Sequence, residues 1–124
     1  METRVTRFGE IPWHTPVPRR EDIDHDHEPA DDEAGRKFLV DGEEGFYVQT
    51  VRVPAGFEAP LHRHSHAEVF MVVAGSCVFN GEDMGPLDSV VVRRDEDYGF
   101  RAGPQGVTFV VTRGGLADYR EATE

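Results

Sequence analysis

The sequence predicts an all-β domain: a small antiparallel barrel entered by an extended N-terminal arm. Three observations carry this. Apolar and polar side chains alternate along Gly45 to Val53, and short apolar runs recur at 68–74 and 107–112. Turn-forming residues separate the runs, at Asp41-Gly42, Pro54-Ala55-Gly56 and Gly81 to Pro86. Helical periodicity is almost absent, and a chain of strands alone makes a core by packing sheet on sheet or closing a sheet on itself.

Residues 1–35 read as an arm and an acidic loop. Pro12, Pro16 and Pro18 favour an extended path, and Trp13 is a large apolar group that needs a surface to pack on. Eight acids crowd 21–34, around His25 and His27. With no apolar strand to support that His-x-His pair, a solvated acidic loop is expected rather than a metal site. Barrel strands are expected over 36–115. Lys37 to Val40 ends at Asp41-Gly42, and Gly45 to Val53 alternates faces. Glu68 to Ala74 is nearly continuous and apolar, as a strand at the barrel centre would be. Gly75 is expected to break it. Ser76 to Asn80 and Leu87 to Arg93 then flank a hairpin loop, and Val107 to Thr112 is the last clear strand. Residues 116–124 are expected as a short helix or a tail.

The segment that points to chemistry runs from Gly56 to Gly75. His62, His64, His66 and Glu68 stand at alternate positions, so an extended chain directs them to one side. Two neutral imidazoles and a carboxylate suit a first-row divalent ion. A carboxylate opening an apolar strand is costly unless something satisfies it.

Gly56, His62, His64, Glu68 and Gly75 together resemble the first signature of the cupin family: glycine, five residues, His-x-His, three or four residues, Glu, six residues, glycine. The resemblance implies a jelly-roll barrel, a double-stranded β-helix with a metal inside, held by His62, His64 and Glu68. His66 is counted with that metal set or with the pocket rim. The family's second signature is degenerate. Its five fixed positions fall on Leu87, Arg93, Asp95, Tyr98 and Ala102, and none matches. Tyr98 stands where the family's fourth ligand, a histidine, is usual. It has three readings: a phenolate ligand, a pocket hydroxyl that moves a proton, or a packing ring. The second is adopted, with Tyr98 and Glu68 as the candidate catalytic pair. Gln49, Phe57, Phe70, Phe79, Phe100 and Phe109 are candidates for the pocket wall, though each aromatic taken singly reads first as core. Arg93 and Arg94 read first as an outer-face charge pair, with one of them as an inward anion anchor the alternative.

Composition excludes several classes. At 124 residues the chain forms one domain. A net charge of −11 argues against a nucleic-acid surface. The single cysteine, Cys77, cannot form an internal disulfide and reads as a buried small hydrophobe. No apolar run reaches a membrane span and no signal core follows the N-terminus, so the cytoplasm is the expectation. The functional expectation is a metal-dependent enzyme on a small organic substrate, using one Fe, Mn, Zn or Ni ion for oxygenase or isomerase/lyase chemistry. The alternative is a non-catalytic cupin that binds a ligand or metal. A homodimer is expected, because edge strands need cover.

Overall fold

The computed structural model describes residues 2–14, 33–116 and 120–121. Eight strands follow in chain order: β1 Gly35–Asp41, β2 Tyr47–Val53, β3 Glu58–Arg63, β4 Glu68–Phe79, β5 Glu82–Met84, β6 Ser89–Val92, β7 Tyr98–Arg113 and β8 Arg120–Glu121. Every pairing among them is antiparallel. Among the described residues no helix is long and apolar enough to cross a membrane.

The spine is the β4–β7 ribbon. The first part of β7 pairs with β3 and the end of β4, and its last part pairs with β2 and the start of β4. A straight strand of this length would hold its ends about 50 Å apart. This ribbon instead bends where Gly75 meets Val107. Gly75 and Gly106 both take left-handed φ, +72° and +77°. A Cβ on Gly75 would run into the Gly106 carbonyl oxygen, so both strands turn at a point only glycine permits. The bend wraps the ribbon around a core of aromatic rings. Phe70 is fully buried and stacks on Phe109 with centroids 4.2 Å apart; Phe79 and Phe100 pack beside it. Burying each such ring stabilises by about 1.5–3 kcal/mol.

Four elements differ from the sequence expectations. Gly75 does not end a strand, because its left-handed φ absorbs a bulge and β4 continues to Phe79. The expected 81–86 loop contains β5, paired through Cys77↔Met84. β7 begins nine residues before Val107, carrying Pro104 exposed at the bend. In the tail, Arg120 and Glu121 pair with Arg63 and His62 instead of forming helix.

The arm lies on its own barrel. His14 bridges Arg36, and Trp13 is buried. The Lys37 ammonium sits 4.0 Å from the Phe8 ring centre and 4.8 Å from that of Trp13, and Arg52 covers Trp13 at 4.5 Å. Trp13 thus finds its surface within the chain and needs no partner to cover it. His25 and His27 lie outside the described residues.

Candidate functional site

The bend in the β4–β7 ribbon brings both ends of β7 to one chamber. Tyr98, its first residue, sits opposite His62 of β3; Arg113, its last, sits opposite Glu68, the first residue of β4. His64 follows β3 and is fixed by its backbone, whose carbonyl accepts from the Asp95 N–H at 2.8 Å. Arg63 points the other way and clamps Asp97 through two contacts of 2.9 and 3.3 Å, which anchors the turn leading into Tyr98.

Inside, the side chains form a connected set. Tyr98 donates to Glu68 Oε1 at 2.8 Å, and its oxygen lies 3.2 Å from His64 Nε2. A phenol has one proton; with that given to Glu68, the His64 contact is completed by Nε2–H donating to the phenol oxygen. Arg113 Nη2 lies 3.6 Å from Glu68 Oε2 and 3.4 Å from His64 Nε2. His62 packs on Tyr98 with ring centres 4.2 Å apart and on His64 at 5.0 Å. His62, His64, Glu68 and Tyr98 are all buried.

Whether this set suits a divalent ion turns on three observations. His62 Nδ1 lies 2.7 Å from the Pro60 carbonyl oxygen, which fixes the proton on Nδ1 and leaves Nε2 with a lone pair. Glu68 Oε2 is buried without a hydrogen-bond partner, the kind of orphaned acceptor that a cation satisfies. Against these, among the described residues no three His, Cys, Asp or Glu side chains converge to hold one ion. The Tyr98 hydroxyl stands between His64 and Glu68 instead. The donor chemistry therefore fits a divalent ion, while the donors as arranged are engaged with one another. Loading would take the His64 proton out of the network.

His66, counted with the metal set from sequence, is exposed in the turn between β3 and β4, with Nδ1 3.0 Å from Ser65 Oγ. The turn breaks the extended path after His64, so the alternation no longer directs position 66 inward. Arg93 and Arg94 are both exposed. The inward arginine is Arg113, which sequence reasoning missed. Its signal was present: Val107, Phe109, Val111 and Arg113 alternate along β7, and the first three are buried on the core face.

A small pocket of about 40 Å³ adjoins the cluster and contains Arg113 in its wall. Phe38, Val40, Val48, Val111 and Leu116 supply its apolar lining, and Asp41, Tyr47 and Gln49 stand with Arg113 as its polar groups. Of the other wall candidates, Phe70, Phe79, Phe100 and Phe109 are core residues. Two larger hollows, beside the Gly75–Gly106 bend and beside Asn80-Gly81, share none of the cluster's residues.

Solved structures share this architecture. The polyketide cyclase RemF from Streptomyces resistomycificus superposes with a TM-score of 0.72 at 24% identity, over 98% of this chain and 86% of that one. An RmlC-like cupin from Shewanella frigidimarina gives 0.67 at 17% identity, over 90% of each. The chain has the cupin fold. A third cupin-like match, a predicted oxalate decarboxylase from Thermotoga maritima, gives 0.70 at 20% identity over 91% of this chain and all of that one. At these identities the likeness speaks for the fold alone. No protein-family model matches the sequence, and no curated protein does.

Proposed function

We propose that this cupin is a metal-dependent enzyme that moves a proton on a small organic substrate, of the isomerase, lyase or cyclase kind. One observation carries the reading: a buried tyrosine hydroxyl is held between a carboxylate and an imidazole, at 2.8 and 3.2 Å. A hydroxyl so placed can give its proton to a developing oxyanion and take it back as the product forms. Burial excludes water from the exchange and strengthens each contact. His62, His64 and Glu68 would hold one divalent ion, whose chemistry when bound is to polarise a carbonyl oxygen. Arg113 stands against the Glu68 carboxylate, its Nη2 3.6 Å from Oε2. Cyclase and decarboxylase are the activities in the names of two structural neighbours. Both are reaction classes that use a positioned acid or base, which supports the reading as analogy of fold.

The test is exchange of carbon-bound hydrogen. Metal-loaded protein in deuterium oxide is incubated with pyruvate, mandelate and acetylacetone, and exchange next to the carbonyl or hydroxyl carbon is followed by proton NMR. The proposal expects exchange above a metal-only control for at least one compound, and about 100-fold less for Tyr98→Phe. No exchange in any of the three, or equal rates in both proteins, removes it.

A second reading is a cupin that binds a ligand without turnover. It is favoured by Arg113, whose guanidinium faces the Glu68 carboxylate and offsets its charge with no metal present. Protein that binds no divalent ion but still binds small anions would support this reading over the first.

A further inference from the structure

Two polar atoms of the pocket wall have no hydrogen-bond partner. Arg113 Nε is a buried donor, and Gln49 Oε1 is a buried acceptor. Leaving such groups unpaired is costly, so they persist where something else satisfies them. Both residues line the same pocket. The sheet register explains why they are neighbours. Arg113 stands opposite Tyr47, and Val111, two residues earlier on the same face, stands opposite Gln49. The donor belongs to a guanidinium and calls for an anionic oxygen. The acceptor belongs to a neutral amide and calls for a hydroxyl or amine hydrogen. Around them Phe38, Val40, Val111 and Leu116 are apolar.

We propose that this pocket binds a small hydroxycarboxylate with an apolar body, its carboxylate on Arg113 and its hydroxyl hydrogen on Gln49 Oε1. Charge favours the assignment. The chain carries −11 overall and would repel an anion, so a binding site for one needs a local, buried cation. Arg113 provides it, and its side chain is only 14% exposed. Its Nη2 stands against Glu68 and His64, so one guanidinium joins the pocket to the catalytic cluster. The inference rests on the chamber being a ligand site, but not on the metal.

The experiment uses three probes of similar size on full-length protein stripped of metal with chelator. Mandelate carries both groups, phenylacetate lacks the hydroxyl, and 1-phenylethane-1,2-diol lacks the carboxylate. Affinities are measured by isothermal titration. The expected order is mandelate, then phenylacetate weaker by about tenfold, the equivalent of one lost hydrogen bond, with no binding of the diol. Gln49→Leu should leave phenylacetate unchanged and erase the mandelate advantage. Arg113→Met should abolish binding of both acids; circular dichroism checks that it folds. The proposal is overturned if none of the probes binds, if the diol matches mandelate, or if Gln49→Leu keeps the mandelate preference. Because the protein is metal-free, failure here leaves the metal reading standing, and failure of metal binding leaves this one standing.

Discussion

Replacing Tyr98 by Phe removes one oxygen from the centre of the cluster and leaves the ring in its packing with His62 and Phe79. The lost bond is a 2.8 Å contact to a carboxylate whose side chain is fully buried. A hydrogen bond to a charged group contributes about 1.5–3 kcal/mol. Glu68 would then keep only two longer contacts of 3.6 Å, to Arg113 Nη2 and His64 Nε2, since its Oε2 already lacks a hydrogen bond. Water could not replace the hydroxyl cheaply, because His64 and Tyr98 are buried around it. Metal-free Tyr98→Phe should therefore be less stable by about 2 kcal/mol. That is roughly 8 °C in Tm, at about 4 °C per kcal/mol for a domain of this size. Urea unfolding followed by circular dichroism and calorimetry both read it. The same comparison with excess Zn²⁺ adds information. An ion on Glu68 satisfies the carboxylate and stabilises whichever protein binds it, so the gap should narrow. A metal-free variant within about 0.5 kcal/mol of wild type would mean that the hydroxyl does not hold Glu68, and the relay would fall with it.

Phe70→Ala should cost about 3–5 kcal/mol in urea unfolding, because the ring is fully buried and stacked on Phe109; a loss under 1 kcal/mol would contradict the core described here. Gly75→Ala should destabilise by about 1–3 kcal/mol, since φ is +72° and the new Cβ meets the Gly106 carbonyl; unchanged stability would mean that the ribbon does not bend there. Burial pushes the Cys77 thiol above its ordinary value near 9.0. The folded state holds this proton longer than the unfolded one, so the thiol's contribution to stability is complete below that ordinary value. It is lost as pH rises into the alkaline range. Thermal unfolding across pH 7–10 should therefore show a falling Tm whose slope is shallower in Cys77→Ala; identical slopes would refute it.

The candidate site was legible where its residues are close in sequence. His62, His64 and Glu68 lie within one short segment; alternation grouped the two histidines, and register in the cupin-like signature added the carboxylate. The same alternation failed for His66, because a turn after β3 resets the direction of the side chains. Tyr98 was reachable by its place in the degenerate second signature, and the structure puts it opposite His62. Gln49 was named for the pocket wall, but Arg113 was not grouped with the site. Their position depends on which strands become neighbours when the sheet closes, and on the bend that returns the end of β7 to Glu68. The strands were found as apolar runs, but their limits were not. Gly75 reads as a breaker by propensity, yet it serves as a bulge because the facing strand turns with it. Tail residues 120 and 121 form a strand through pairing with β3, a tertiary contact that local pattern does not carry.

The central claim is that His62, His64 and Glu68 hold one divalent ion. Elemental analysis by mass spectrometry, on protein purified without an affinity tag and dialysed against a metal mixture without chelator, tests it most directly. The account predicts about one ion per chain, with zinc, manganese, iron or nickel telling which chemistry is open, and loss of that ion in His62→Ala/His64→Ala protein that still folds. Wild-type protein without stoichiometric metal, or a double variant that keeps it in full, would contradict the account.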